Sequence, residues 1–96
     1  MAKGYWLMHI RVFNEARYPE YIAADALAFE KYKAKFLVRG GEYLPVEGED
    51  RDRHVVVEFD SYREALDCYH SPEYQKALKL RQEFAESEVV IVKGIE

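Results

Sequence analysis

Cysteine is almost missing from this chain of 96 residues: Cys68 stands alone, so no internal disulfide can form and a reducing compartment is expected. Histidine occurs only at positions 9, 54 and 70, scattered and without the spacing of a zinc site, so no metal is expected. Glycine-rich phosphate loops of the P-loop or dinucleotide-binding kind are lacking. No apolar run approaches the ~20 residues that a membrane helix needs. In "MAKGYWLMHIR", His9 and Arg11 interrupt the apolar residues, which argues against a secretory signal. Positive charge is also in deficit, with 14 Lys and Arg against 18 Asp and Glu, a net charge of −4. Phosphate backbones call for a basic field, so neither a nucleic acid nor a membrane is an expected partner. The expected location is the cytoplasm.

What is present is a globular composition, 49% hydrophobic and 33% charged, without a low-complexity tract. The length suits one domain over residues 1–96, which buries roughly 60–65% of its unfolded surface.

Residues 5–12, "YWLMHIRV", alternate with Trp6, Met8, Ile10 and Val12 on one side and Tyr5, Leu7, His9 and Arg11 on the other, a strand with one apolar and one semi-polar face. Asn14 offers a helix cap, and Tyr18, Ile22, Ala26 and Phe29 follow at helical spacing, with Pro19 near the start. Residues 35–47 read as an edge strand, bulged at Gly40-Gly41 and barred from the sheet interior by Pro45. The charged segment 47–53 suits a solvated hairpin tip, and 54–59, "HVVVEF", a central strand.

Ser61 and Glu64 have the spacing of a capping box before a second helix. At "HSPEY", Ser71 can cap, Pro72 fits the first helical position and Glu73 complements the dipole, so the stretch joins two helical segments. Tyr74, Ala77, Leu78 and Phe84 supply the apolar stripe, and residues 88–95 a last strand. The order βαββαβ builds a ferredoxin-like α+β domain, a four-stranded antiparallel sheet of order 4-1-3-2 with helices on one face. The other face carries Leu7, His9, Val56 and part of the 89–92 run. A patch of that kind beside an apolar edge is a liability for a monomer, so a homodimer through the open face is expected.

The stretches "KGYWLMHIRV", "YIAADALAFEKY", "FLVRGGEY", "VVVEF" and "ALDCYHSPEYQKALKLR" resemble the small bacterial family catalogued as domain of unknown function 1330. That family in turn resembles the dimeric α/β-barrel superfamily, which includes cofactor-free monooxygenases, isomerases and haem-dependent enzymes. The resemblance implies a fold and a dimer. It does not imply a reaction, because folds do not carry functions.

Several side chains invite chemistry. His9, on the semi-polar face, is a base or proton shuttle on one reading and a hydrogen-bonded interface residue on the other. Arg39 beside Gly40 and Gly41 combines a bidentate anion grip with a backbone that a ligand can approach. Tyr69, His70, Ser71 and Tyr74 surround the helical junction. Ser71 is most simply a cap, Tyr74 a core residue whose hydroxyl needs a partner, and His70 a helix-end cation or a haem ligand. Cys68 and His70, two apart, point to different sides of a helix and do not form a nucleophile pair.

The sequence therefore reads as a homodimeric small-molecule-binding protein. As an enzyme it would be cofactor-independent, of monooxygenase or isomerase type, acting on a small organic acid or aromatic compound. Arg39, Gly40, Gly41, Tyr69, His70 and Ser71 are the expected ligand-binding residues, with Arg39 anchoring an anionic group. His9 and Tyr74 are the expected proton-transfer groups. A non-catalytic metabolite sensor is the alternative, and a haem protein the third.

Overall fold

The alternation of residues 5–12 becomes β1 (Gly4–Val12), the strand on which the sheet is built. The structure, a computed structural model, describes residues 2–96. After β1 come α1 (Tyr18–Lys31), β2 (Lys35–Arg39), β3 (Arg53–Phe59), α2 (Tyr62–His70), α3 (Pro72–Phe84) and β4 (Ala85–Lys93). The strands lie in the order β2-β3-β1-β4, every pair antiparallel. This is the expected ferredoxin-like topology, with the second crossover divided between α2 and α3. Among the described residues, no helix is long and apolar enough to cross a membrane.

Trp6 centres the core between sheet and helices. It is wholly buried, its indole N–H donates to the Ala65 carbonyl at 2.9 Å, and the Phe29 and Tyr74 rings meet it edge-on at 5.2 and 4.8 Å. Such pairs add to the stabilisation that burial gives. Ser61 caps α2 by accepting from the Glu64 amide, as the capping-box spacing requires.

Five local expectations are corrected. In α1 the buried side is Tyr18, Tyr21, Asp25, Ala28 and Phe29, while Ala26 faces solvent. Tyr21 claims the inward position because its hydroxyl meets that of Tyr74 at 2.8 Å. The edge strand ends at Arg39 instead of running to 47, because Gly40 turns to φ 64° and leaves extended space. The bulge lies at Leu37, where the register shifts between Phe36 and Val38, and not at the glycines. The charged tip is not all solvated: Arg51 is 5% exposed, bridged to Glu49, Glu86 and Glu88, which ties the loop to β4. That strand starts at Ala85, directly after α3.

The face away from the helices carries one apolar row across all four strands, Val38–Val56–Leu7–Val90. Beside it His9 pairs with His54, their Nδ1 atoms 2.8 Å apart.

Candidate functional site

Two arginines face the helices for reasons of register. Arg53 opens β3 opposite Ile10, on the same side as buried Val55 and Val57. Arg39 comes to that side because Leu37 and Val38 together oppose Val56, so the next residue falls opposite Val55. On the other wall, Tyr18, Tyr21 and Asp25 recur at the 3.6-residue period of α1. Between the two walls lies a cavity of about 20 Å³, room for one water-sized group. It adjoins a more open hollow of about 250 Å³ that shares Tyr18 and Arg53 and is bounded by Val12, Pro19, Gly40 and Asp52.

The charges at this place do not balance. Asp25 is the one carboxylate lining the cavity, 5% exposed, against Arg39, Arg53 and, nearby, Arg81. Burial pushes its pKa up to about 7, opposed by the Tyr21 hydroxyl and the three guanidinium groups. Among the described residues, none of these arginines lies within 4.0 Å of a carboxylate oxygen. Arg39 stacks instead on the Phe36 ring, 3.9 Å from its centroid.

Of the buried polar atoms without a hydrogen bond of good geometry, two belong to residues lining the cavity, Tyr18 Oη and Arg53 Nε. Burial raises the pKa of the Tyr18 phenol, and the nearby Arg53 charge pulls against that rise without a well-formed hydrogen bond. A buried donor left unpaired costs about 1–3 kcal/mol. Behind the cavity, Arg81 donates to the Tyr74 hydroxyl, which in turn meets Tyr21. Burial holds the Tyr74 phenol well above its ordinary pKa.

Of the residues singled out in the sequence, Arg39 and Gly40 are at this site, and Tyr74 stands behind it through Tyr21. His9 is on the opposite face of the sheet, so the structure does not bring it together with Tyr74. Gly41 has no atom within 4 Å of where a side chain would begin. Tyr69, His70 and Ser71 stay at the α2–α3 junction, and none lines the cavity. Ser71 Oγ accepts from the Tyr74 amide at 3.1 Å and donates to the Cys68 carbonyl at 2.7 Å, so its hydroxyl is fully used by the two helix ends. His70 is exposed and meets Tyr69 edge-on. Cys68 is buried, which pushes its thiol up to about 12. Among the described residues, no three His, Cys, Asp or Glu side chains converge as a metal site would require.

A family model matches residues 3–95. The chain belongs to the family Domain of unknown function (DUF1330). No curated protein matches this DUF1330 chain. Among solved structures it is similar to RPA0582, a protein of unknown function from Rhodopseudomonas palustris, at 21% identity over 99% of this chain and 84% of that one, TM-score 0.78. It is also similar to SnoaB, a cofactor-independent oxygenase from Streptomyces nogalater, at 12% identity over 100% and 96%, TM-score 0.66. A dimeric ferredoxin-like protein of unknown function from Thermobifida fusca matches at 16% identity over 98% and 92%, TM-score 0.56. Likeness at these identities shows the shared fold.

Sequence reasoning about this DUF1330 chain passed over Tyr18, Asp25 and Arg53 as site residues. The signal for Asp25 was an acid on the inward stripe of α1, three residues before Ala28 and four before Phe29. For Arg53 it was the period of two, which places it on the side of Val55 and Val57.

Proposed function

We propose that this DUF1330 chain is a homodimeric, cofactor-independent enzyme that binds a small organic anion between α1 and the sheet. The observation that carries this reading is the charge imbalance. Three guanidinium groups without carboxylate partners surround one buried acid, at a cavity holding two unpaired polar atoms. An organic carboxylate would meet Arg39 in bidentate fashion and give Arg53 Nε and Tyr18 Oη the partner they lack. The likeness to SnoaB, described as a cofactor-independent oxygenase, supports small-molecule chemistry on this fold. The apolar row on the open face and the likeness to a protein described as dimeric support the homodimer.

A thermal-shift screen against small carboxylates and aromatic acids tests the reading, since a ligand of the native state raises its melting point by mass action. The expected result is a shift with one or more acids that shrinks in Arg39→Lys, which keeps the charge and loses the fork, and disappears in Arg53→Met. No shift with any acid, or one indifferent to both substitutions, would reject it.

A further inference from the structure

We infer that the cavity enolises a small 2-oxo acid, with Asp25 taking the proton and Arg53 Nε and Tyr18 Oη holding the enolate oxygen. This rests on the anion-binding reading and names its substrate class.

The cavity's polar groups divide by role. Arg39, at the exposed mouth and free of carboxylates, is placed to grip a carboxylate. Further in, Tyr18 and Arg53 both line the cavity, and their Oη and Nε atoms are buried without a well-formed hydrogen bond. Fixed N–H and O–H donors in a water-poor site suit an oxygen on which negative charge develops. Asp25 is the only carboxylate on the lining, with no arginine bridging it. The Tyr21 hydroxyl is within hydrogen-bond reach of the Asp25 carboxylate, which still leaves acceptor lone pairs for a substrate proton. Burial brings it to a pKa of about 7, the range in which a base works at neutral pH. Apart from Tyr21 the remaining lining is apolar, including Ile22, Phe29 and Phe36, which keeps the place water-poor.

Size decides between oxo acids and aromatic acids. The inner cavity of about 20 Å³ takes a carbonyl or methyl group and has no space for a ring. The larger hollow outside is lined by Glu15 and Asp52, a poor place for a second anionic group. A short-chain oxo acid would put only its oxo group into the inner cavity and leave the rest of the molecule toward the larger hollow.

In the step, the Asp25 carboxylate takes a proton from C3. The C–H pair becomes the C2–C3 double bond, and the carbonyl π pair moves onto O2, which accepts from Arg53 and Tyr18. Returning a proton from Asp25 to C3 restores the oxo acid. No electron leaves the substrate and no oxidant is needed. The Tyr21 hydroxyl, fixed by Tyr74, which in turn accepts from Arg81, lies near enough to Asp25 to stabilise its charge between the two transfers.

Hydrogen–deuterium exchange at C3 tests this, followed by proton NMR with pyruvate and 2-oxobutyrate in heavy water. The protein is expected to accelerate exchange above the buffer rate. Asp25→Asn should lower the acceleration at least ~100-fold, the lower end of what a positioned base contributes, while keeping the thermal shift with the same acid. Asp25→Glu, which keeps a base but moves it, should fall between. A bound acid that exchanges at the buffer rate, or exchange that survives in Asp25→Asn, overturns the inference and leaves the binding reading standing. Failure of the wild-type protein to bind any oxo acid while binding other carboxylates also overturns it. Failure to bind any carboxylate rejects the reading beneath it.

Discussion

Arg53 lies where a side chain at Gly40 would begin. A Cβ there would overlap Nη1 of the guanidinium and come within 3.0 Å of its Cζ, and the backbone at Gly40 is left-handed, φ 64°. In sequence the glycine pair reads as an opening for a ligand. In the structure, the neighbour that needs the space at Gly40 is a protein side chain, and Gly41 has none. Gly40→Ala is expected to lose on the order of 1–3 kcal/mol in denaturant melts through backbone strain and, by displacing Arg53, to weaken binding of organic acids. Gly41→Ala should stay within about 0.5 kcal/mol. Equal losses at the two positions would contradict the strain assigned to position 40.

Asp25 makes stability depend on pH in an unusual direction. Its folded pKa, about 7, lies above its ordinary value of 3.8. Between those values the folded chain keeps a proton that the unfolded chain has lost, so this residue's contribution falls as pH rises through the window. The full effect is on the order of a few kcal/mol. Asp25→Asn should therefore be more stable than wild type near pH 8, and the difference between their melting curves should close toward about pH 4. Parallel pH profiles for the two proteins would contradict the desolvated carboxyl.

Ser71→Ala is expected to cost about 0.5–2 kcal/mol through loss of the α3 cap. The added stability that a bound organic acid confers should not change, since Ser71 lies outside the cavity. A ligand shift that fell with the cap would place Ser71 in the site after all.

For the oligomer, light scattering should give about twice the chain mass of 11.3 kDa. Leu7 occupies the middle of the apolar row, between Val56 and Val90. Leu7→Asp puts an unpaired charge into that contact and is expected to yield a folded monomer. A wild-type species of 11.3 kDa at micromolar concentration would defeat the dimer.

Most of the fold was legible because its signals are local: the alternation in β1, the Ser61–Glu64 box, the Ser71-Pro72 start of α3. The site was less so, for a physical reason. Asp25, Arg51 and Arg53 are charged residues at positions where periodicity points inward or pairing covers them, and composition alone assigns such residues to solvent. The partner of Arg51 comes from tertiary structure, Glu86 across 35 residues, as does that of His9, His54 across 45. Strand register makes the two histidines neighbours, and the loop before β3 carries Arg51 to β4.

The bulge at Leu37 makes β2 insensitive to a change of length that would ruin most strands. Removing one residue ordinarily sends every later side chain to the wrong face. Here Leu37 and Val38 share one partner, Val56, so dropping Leu37 leaves Phe36, Val38 and Arg39 facing as they do now. A chain shortened by Leu37 is expected to keep its thermal response to organic acids. Two proteins of this fold can thus differ by one residue in the edge strand and still present the same guanidinium. An alignment made without a gap there would match Arg39 to the wrong position.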